Sequence, residues 1–355
     1  MRILALDLGS SSSKTAVCIL DTLSCEQRRT RIDTQASALT ALLRTERPDR
    51  VVMEATNVTG WVVDLCRAHG VGEIQVVNPM DEAYRNRTSK TDPKDADLLA
   101  KLSVSGQARL VHVPERPVRE WRCLIEYRHR LVRDRTRLKN RIRRLLRQEG
   151  LPSGKLWTRE GMAYLTSQSK PLETCAEQEL WRGMLGLELE RLRETDLHLQ
   201  AVESRLDRMA ASSAPVRELT ALAGIGNRTA EAVVATLDDP LRFRNQKDVG
   251  AYFGLVPSVH QSGKHLHHGR ITKAGNRIVR ALLVEIVHLA TRQSDHWITA
   301  IYRRLLRDDP SRRKRAIVAT APSNSHPLGE AARPTPHQPT SAADSRRSLS
   351  SRIVL

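Results

Sequence analysis

Between Pro117 and Gly150 the chain runs without an intervening proline or glycine, and through that run apolar residues recur at three- and four-residue spacing while Arg and Lys far outnumber Asp and Glu. The pattern predicts one long basic helix, with Leu131, Leu138, Ile142 and Leu145 as its packing positions. A second long helical stretch is expected from about Glu173 to Ala211, where Leu185, Leu187, Leu189, Leu192, Leu197, Leu199 and Leu206 supply an apolar face among mixed charges. The two can pair as an antiparallel coiled coil over residues 116–213. With 355 residues, 40% of them hydrophobic, the chain has material for two or three domains around such a rod.

Before the rod, residues 2–8 and 14–20 are β-rich runs joined by a Gly/Ser turn, which predicts a hairpin. Apolar runs at 51–54 and 74–77 alternate with helical-looking stretches at 36–45 and 60–69, so residues 1–115 read as an α/β domain. After the rod, residues 214–321 read as a second compact, mostly helical domain, with a Gly-, His- and Lys-rich stretch at 254–276 between helical patterns. From residue 322 the composition turns to Pro, Ser, Ala and Arg without apolar periodicity, and disorder is expected to residue 355.

A formal charge of +18 exceeds what solubility requires, so the expected partner is a polyanion, nucleic acid first. No run of eighteen apolar residues occurs, and neither a membrane span nor a signal peptide is expected. The cysteines, Cys18, Cys25, Cys66, Cys123 and Cys175, are odd in number and scattered, which fits a reducing cytoplasm rather than a disulfide framework or zinc site.

Acidic residues stand where the α/β pattern brings strands to an end. Asp7 closes the first strand before GSSSS, and Glu54 closes VVME, at the edge where open α/β sheets place their ligands. In KTDPKDADLLA at 90–100, Pro93 suits a first helical turn and Asp92 its N-cap. Asp95, three residues on, shares its face. A four-carboxylate cluster repels itself without cations, and hard divalent ions such as Mg²⁺ prefer oxygen ligands. Two such ions about 4 Å apart suit phosphodiester exchange. Taken singly, each acid also reads as a turn or helix cap.

Three further features face a phosphate backbone. Arg137, Lys139, Arg141 and Arg144 crowd the basic helix. Gly224 and Gly226 form a GIG turn that resembles a helix-hairpin-helix element and delivers backbone amides to a helix start. Ser262, followed by Gly263, sits in a loop with Lys264, Arg270 and Lys273, which are expected to hold a phosphate near it.

Together, LALDLGSSSSK at 4–14, VVMEAT at 51–56, VVNP at 76–79, KTDPKDADLLA, LVRDRTRLKNRIRRLL and GLVPSVHQSGKHLHHGRITKAGN at 254–276 resemble the DEDD transposases of the bacterial insertion-sequence 110 family, over roughly residues 3–318. The resemblance implies a RuvC-like, ribonuclease-H-type fold for the first domain, with Asp7, Glu54, Asp92 and Asp95 as the metal-binding catalytic tetrad. It implies Ser262 as the nucleophile that forms a phosphoserine link to DNA. Assembly as a homo-oligomer, dimer or tetramer, goes with it, and it admits an RNA encoded by the element as guide. Two rival readings stand beside it: a non-catalytic nucleic-acid-binding protein, and an actin-like sugar kinase or ATPase, whose first phosphate hairpin DLGSSSSK also resembles.

Overall fold

The computed structural model describes residues 1–9, 14–81, 92–262, 265–293 and 295–321. The chain divides into two compact units, Met1–Glu120 and Trp121–Leu355.

In the first unit, β1 (Arg2–Asp7), β2 (Lys14–Asp21) and β3 (Gln27–Asp33) form an antiparallel meander, followed by α1 (Ala36–Glu46), β4 (Arg50–Glu54), α2 (Thr59–Ala68), β5 (Glu73–Val77) and α3 (Asp92–Ser105). The sheet order is β3-β2-β1-β4-β5, with β4 parallel to β1 and β5 parallel to β4. Because side chains alternate across a strand, β1 feeds two cores at once. Leu4 and Leu6 join Val51 and Met53 against Leu39, Leu43, Val62 and Val63 of α1 and α2. Ile3 and Ala5 join Val52 on the opposite face, against Ala96, Leu99 and Ala100 of α3. Burial on both faces explains why β1 reads as a continuous apolar run. β3 (QRRTRID) is not among the strands expected from the sequence, and its residues are almost all exposed. It is an edge strand guarded by Arg28, Arg29 and Arg31, so it lacks apolar alternation.

The second unit is built on α4 (Arg116–Gln148), α5 (Arg159–Gln168) and α6 (Leu180–Ser212). The pairs Arg128–Glu203, Arg135–Asp196 and Arg141–Glu188 climb one helix as they descend the other, so α4 and α6 pack antiparallel. Leu138, Ile142 and Leu146 meet Leu185, Leu189 and Leu192 between them. Leu146, not Leu145, is the fully buried residue of the last turn. Leu187 and Leu197, expected on the packing face, are 47% and 65% exposed. Successive residues of a helix turn by about 100°, so Leu187 cannot share a face with Leu185 and Leu189. The helix also begins at Leu180 rather than near Glu173, because Leu172–Thr174 and Glu177–Glu179 form two short turns before it.

Beyond it come α7 (Ala214–Thr220), α8 (Asn227–Leu237), α9 (Gln246–Tyr252), the hairpin β6 (Pro257–Ser262) and β7 (His265–Ile271), α10 (Arg277–Ala290), α11 (Trp297–Leu306) and α12 (Arg313–Thr320). One core joins Ile125, Leu131 and Leu206 of the helical pair to Val216, Val233, Phe253, Leu283, Val287, Ile298 and Ile317. The rod and the C-terminal helices are therefore one folded body. The disorder expected at 322–355 concerns residues outside those described.

Candidate active site

The last parallel pair between β1 and β4 is Leu6 with Met53, so Asp7 and Glu54 are the next residue on each of two adjacent strands. By strand alternation both share the face of Ala5 and Val52, the face that α3 covers. The direction of α3 is fixed at its far end, where Arg50 Nη1, at the start of β4, donates to Ser103 O at 3.0 Å. From Arg50 to Glu54 the strand rises about 13 Å. From Ser103 back to Asp95 the helix covers about 12 Å. Asp95 thus comes level with Glu54, and it is only 4% exposed. Asp92 starts the same helix a turn earlier; its side chain lies outside those described.

Among the described residues no three His, Cys, Asp or Glu side chains form an assembled metal group. The donor chemistry nonetheless fits a hard cation, since Asp7, Glu54 and Asp95 offer only carboxylate oxygens on one face and one edge of the sheet. Asp97 serves a different purpose. Gln27 Nε2 donates to it at 2.6 Å, and Arg29 donates through Nε at 3.0 Å and Nη2 at 2.8 Å, tying α3 to the edge strand. Burial pushes its carboxyl up, but the Arg29 hydrogen bonds and charge outweigh that and hold it below the usual range. Burial drives the Cys18 thiol on this face up to about 11, so it stays protonated and offers no thiolate.

Ser262 pairs with His265 across the β6–β7 hairpin, which leaves Gly263 and Lys264 as the connecting pair, outside the described residues. This serine, expected from the sequence in a loop between helices, stands at the tip of a two-stranded arm. The foot of the arm is stitched by Thr272 N to Val256 O at 2.9 Å and Lys273 N to Gly254 O at 3.1 Å. Gly275, at φ +71°, has no space for a side chain, because a Cβ there would overlap the Tyr252 carbonyl oxygen. Arg270 and Lys273 are exposed at this foot. Five residues of strand separate Arg270 from the Ser262–His265 pair, about 17 Å. The hairpin therefore does not bring Arg270 or Lys273 beside Ser262.

The GIG turn joins α7 to α8 with Gly224 at φ +87°, Ile225 buried, and Gly226 as the α8 N-cap. Gly224 and Gly226 are exposed. The turn is braced from behind by His296, which no local sequence signal connects to it. His296 Nδ1 accepts from Ile298 N at 3.2 Å, which leaves Nε2 to donate to Ala223 O at 2.9 Å. Arg228, in the first turn of α8, is consumed by Glu231 at 2.9 Å and by Asp207. On α4, Arg137 pairs with Asp134 at 3.0 Å and Arg141 with Glu188 at 3.1 Å. Lys139 lies 4.8 Å from the centre of the Trp157 ring, and burial followed by the charge of Arg135 pushes its ammonium below the usual range. Arg144 is exposed.

A family model for DEDD transposases of the insertion sequence IS110 matches residues 5–150, and a model for transposases of the IS116/IS110/IS902 family matches residues 216–303. A Sinorhizobium fredii protein named as transposase y4rJ is 30% identical over 341 residues, covering 88% of this chain and 83% of its own. The chain belongs to the IS110 family of transposases. Also similar are a family 20 transposase of Pseudomonas aeruginosa, 30% identical over 72% of this chain and 78% of its own, and the transposase for insertion sequence element IS1111A of Coxiella burnetii, 27% identical over 59% and 57%. In this IS110-family transposase the DEDD match spans β1 to the end of α4 and holds all four acidic candidates. The second match spans α7 to α11 and holds the GIG turn and the serine hairpin. No described helix is long and apolar enough to cross a membrane.

Proposed function

We propose that the protein cuts and rejoins DNA at the ends of its insertion sequence and at the target, through the carboxylates Asp7, Glu54, Asp92 and Asp95 and the nucleophile Ser262. What supports this reading is that Asp7 and Glu54 end neighbouring strands on one face of the sheet, and that α3, which packs on that face, carries the buried Asp95. A mixed sheet of order β3-β2-β1-β4-β5 with an acid ending its central strand supports a RuvC-like, ribonuclease-H-type domain.

The four carboxylates would hold divalent metal, Mg²⁺ by donor type. Bound there, the ions would offset the charge that develops on the attacking and leaving oxygens. Ser262 supplies the nucleophile: its Oγ loses a proton and bonds to phosphorus, the bond to one DNA strand breaks, and that strand's oxygen takes up a proton. A second DNA hydroxyl reverses the step, restores the serine and joins the new strand. Each exchange conserves one phosphodiester, so no nucleotide is consumed. The GIG amides at Gly224 and Gly226, with Arg270 and Lys273 at the hairpin foot, contact DNA backbone away from the reacting phosphate. A homo-oligomer and an RNA guide from the element belong to the same reading.

Asp7→Asn and Ser262→Ala, made separately, test it. Each is expected to retain salt-sensitive DNA binding and to lose strand exchange between element and target DNA. Exchange at the wild-type rate in either variant removes the role assigned to that residue.

A further inference from the structure

Arg130, Arg133, Arg137, Arg141 and Arg144 are all exposed on α4. At about 100° per residue their positions fall within an arc of about 80°. The buried residues Leu131, Leu138, Ile142 and Leu146 occupy the opposite side of the same helix. The five arginines thus form one stripe on the solvent face, about 21 Å long at 1.5 Å per residue. Among the described residues Arg133 and Arg144 carry no ion pair. Asp134 is an acid at the edge of the stripe, 3.0 Å from Arg137. Lys139 and Arg143 are turned to the flank, over Trp157 at 4.8 and 5.4 Å.

From this geometry we propose that the exposed face of α4 is a rail for the phosphate backbone of double-stranded DNA, gripping it without reading sequence; the inference rests on the DNA-acting role proposed above and deepens it. Charge matching favours this partner. A duplex presents one phosphate per strand every 3.4 Å of axis, so 21 Å offers about six phosphates on one strand to five arginines, of which Arg137 and Arg141 share their charge with Asp134 and Glu188. Composition favours a duplex over a single strand. Single-strand grooves interleave cations with aromatic platforms for the bases, whereas the aromatic ring beside this stripe, Tyr127, is covered by the Arg130 guanidinium at 5.4 Å. The neighbouring helix sets the boundary of the rail: of its acids flanking Arg141 and Arg144, Glu188 is paired with Arg141 and Arg191, while Glu190 and Glu194 repel a backbone laid across both helices.

The test is the salt dependence of binding to a duplex of unrelated sequence, with the full chain in every variant. For each phosphate that the protein no longer neutralises, the slope of log affinity against log salt shrinks by about 0.9. Replacing Arg130, Arg133 and Arg144 together by Gln is expected to shrink it by about 2.7, equally on several sequences, while Arg143→Gln leaves it unchanged. All three replaced residues are solvent-facing, and an unchanged melting temperature together with the single variant Arg133→Gln, with a shrinkage of about 0.9, separates a phosphate-binding role from unfolding. A wild-type slope in the triple variant overturns the rail, as does equal loss in Arg143→Gln. A change confined to duplex RNA overturns the assignment to DNA. Absence of salt-sensitive duplex binding by the wild type overturns it too, and the strand-exchange assay on the same preparations then tells whether the proposed reaction falls with it.

Discussion

Glu231 is a carboxylate 1% exposed in the middle of α8, and it survives there because Arg228 reaches it with one guanidinium nitrogen at 2.9 and 3.0 Å from its two oxygens. Burial pushes its carboxyl above the ordinary 4.5, and the pull of Arg228 only partly offsets that. A raised folded-state value means the native protein holds this proton more tightly than the unfolded chain does. Its stabilising share is therefore complete below pH 4.5 and is lost as pH rises through the higher folded value. Melting curves of the wild type and Glu231→Gln are expected to shift relative to one another in the wild type's favour as pH falls from about 7 toward 4.5, the reverse of an ion-paired surface acid. At this scale Asp7 and Glu54 were legible, because an acid that ends an apolar run marks a strand terminus. The His296 brace was not, since it joins residues 73 apart through a carbonyl that no side-chain pattern reveals.

The helices α4 and α6 were the most legible elements, since a run free of proline and glycine has few alternatives. Their faces were read less well than their existence. Leu146 and the antiparallel ion-pair ladder emerge only once the partner helix is in place. Ile142 is 0% exposed where α4 and α6 meet, among Leu138, Leu146, Leu185 and Leu189. Ile142→Ala removes three carbons from a site walled by two rigid helices, which limits collapse, and is expected to cost about 3 kcal/mol in chemical denaturation. A loss below about 1 kcal/mol would mean that the pair does not pack tightly there. The strand β3 and the β6–β7 hairpin escaped detection for a common reason. Both are rich in polar residues, held by neighbouring backbone and by turns such as that at Gly275, so neither carries the apolar alternation by which strands are read.

For the whole molecule, the sequence suggested three structured regions, while the core that runs from Leu131 and Leu206 to Leu283 and Ile317 makes one body of the last two. Such long-range burial is invisible to local periodicity. Family membership, by contrast, was carried by short motifs, several of them lying where a strand or helix begins or ends. The reaction proposed for this transposase requires both units: carboxylates from the sheet edge of one and the serine arm of the other. The step on which that reaction turns is a covalent bond between Ser262 and DNA. The direct measurement is a denaturing gel of the purified protein incubated with Mg²⁺, the element's flanking non-coding RNA and DNA carrying the element's junction. The expected result is a protein–DNA adduct that Ser262→Ala abolishes and that Asp7→Asn suppresses; an adduct of undiminished yield in Ser262→Ala would contradict a serine-linked reaction.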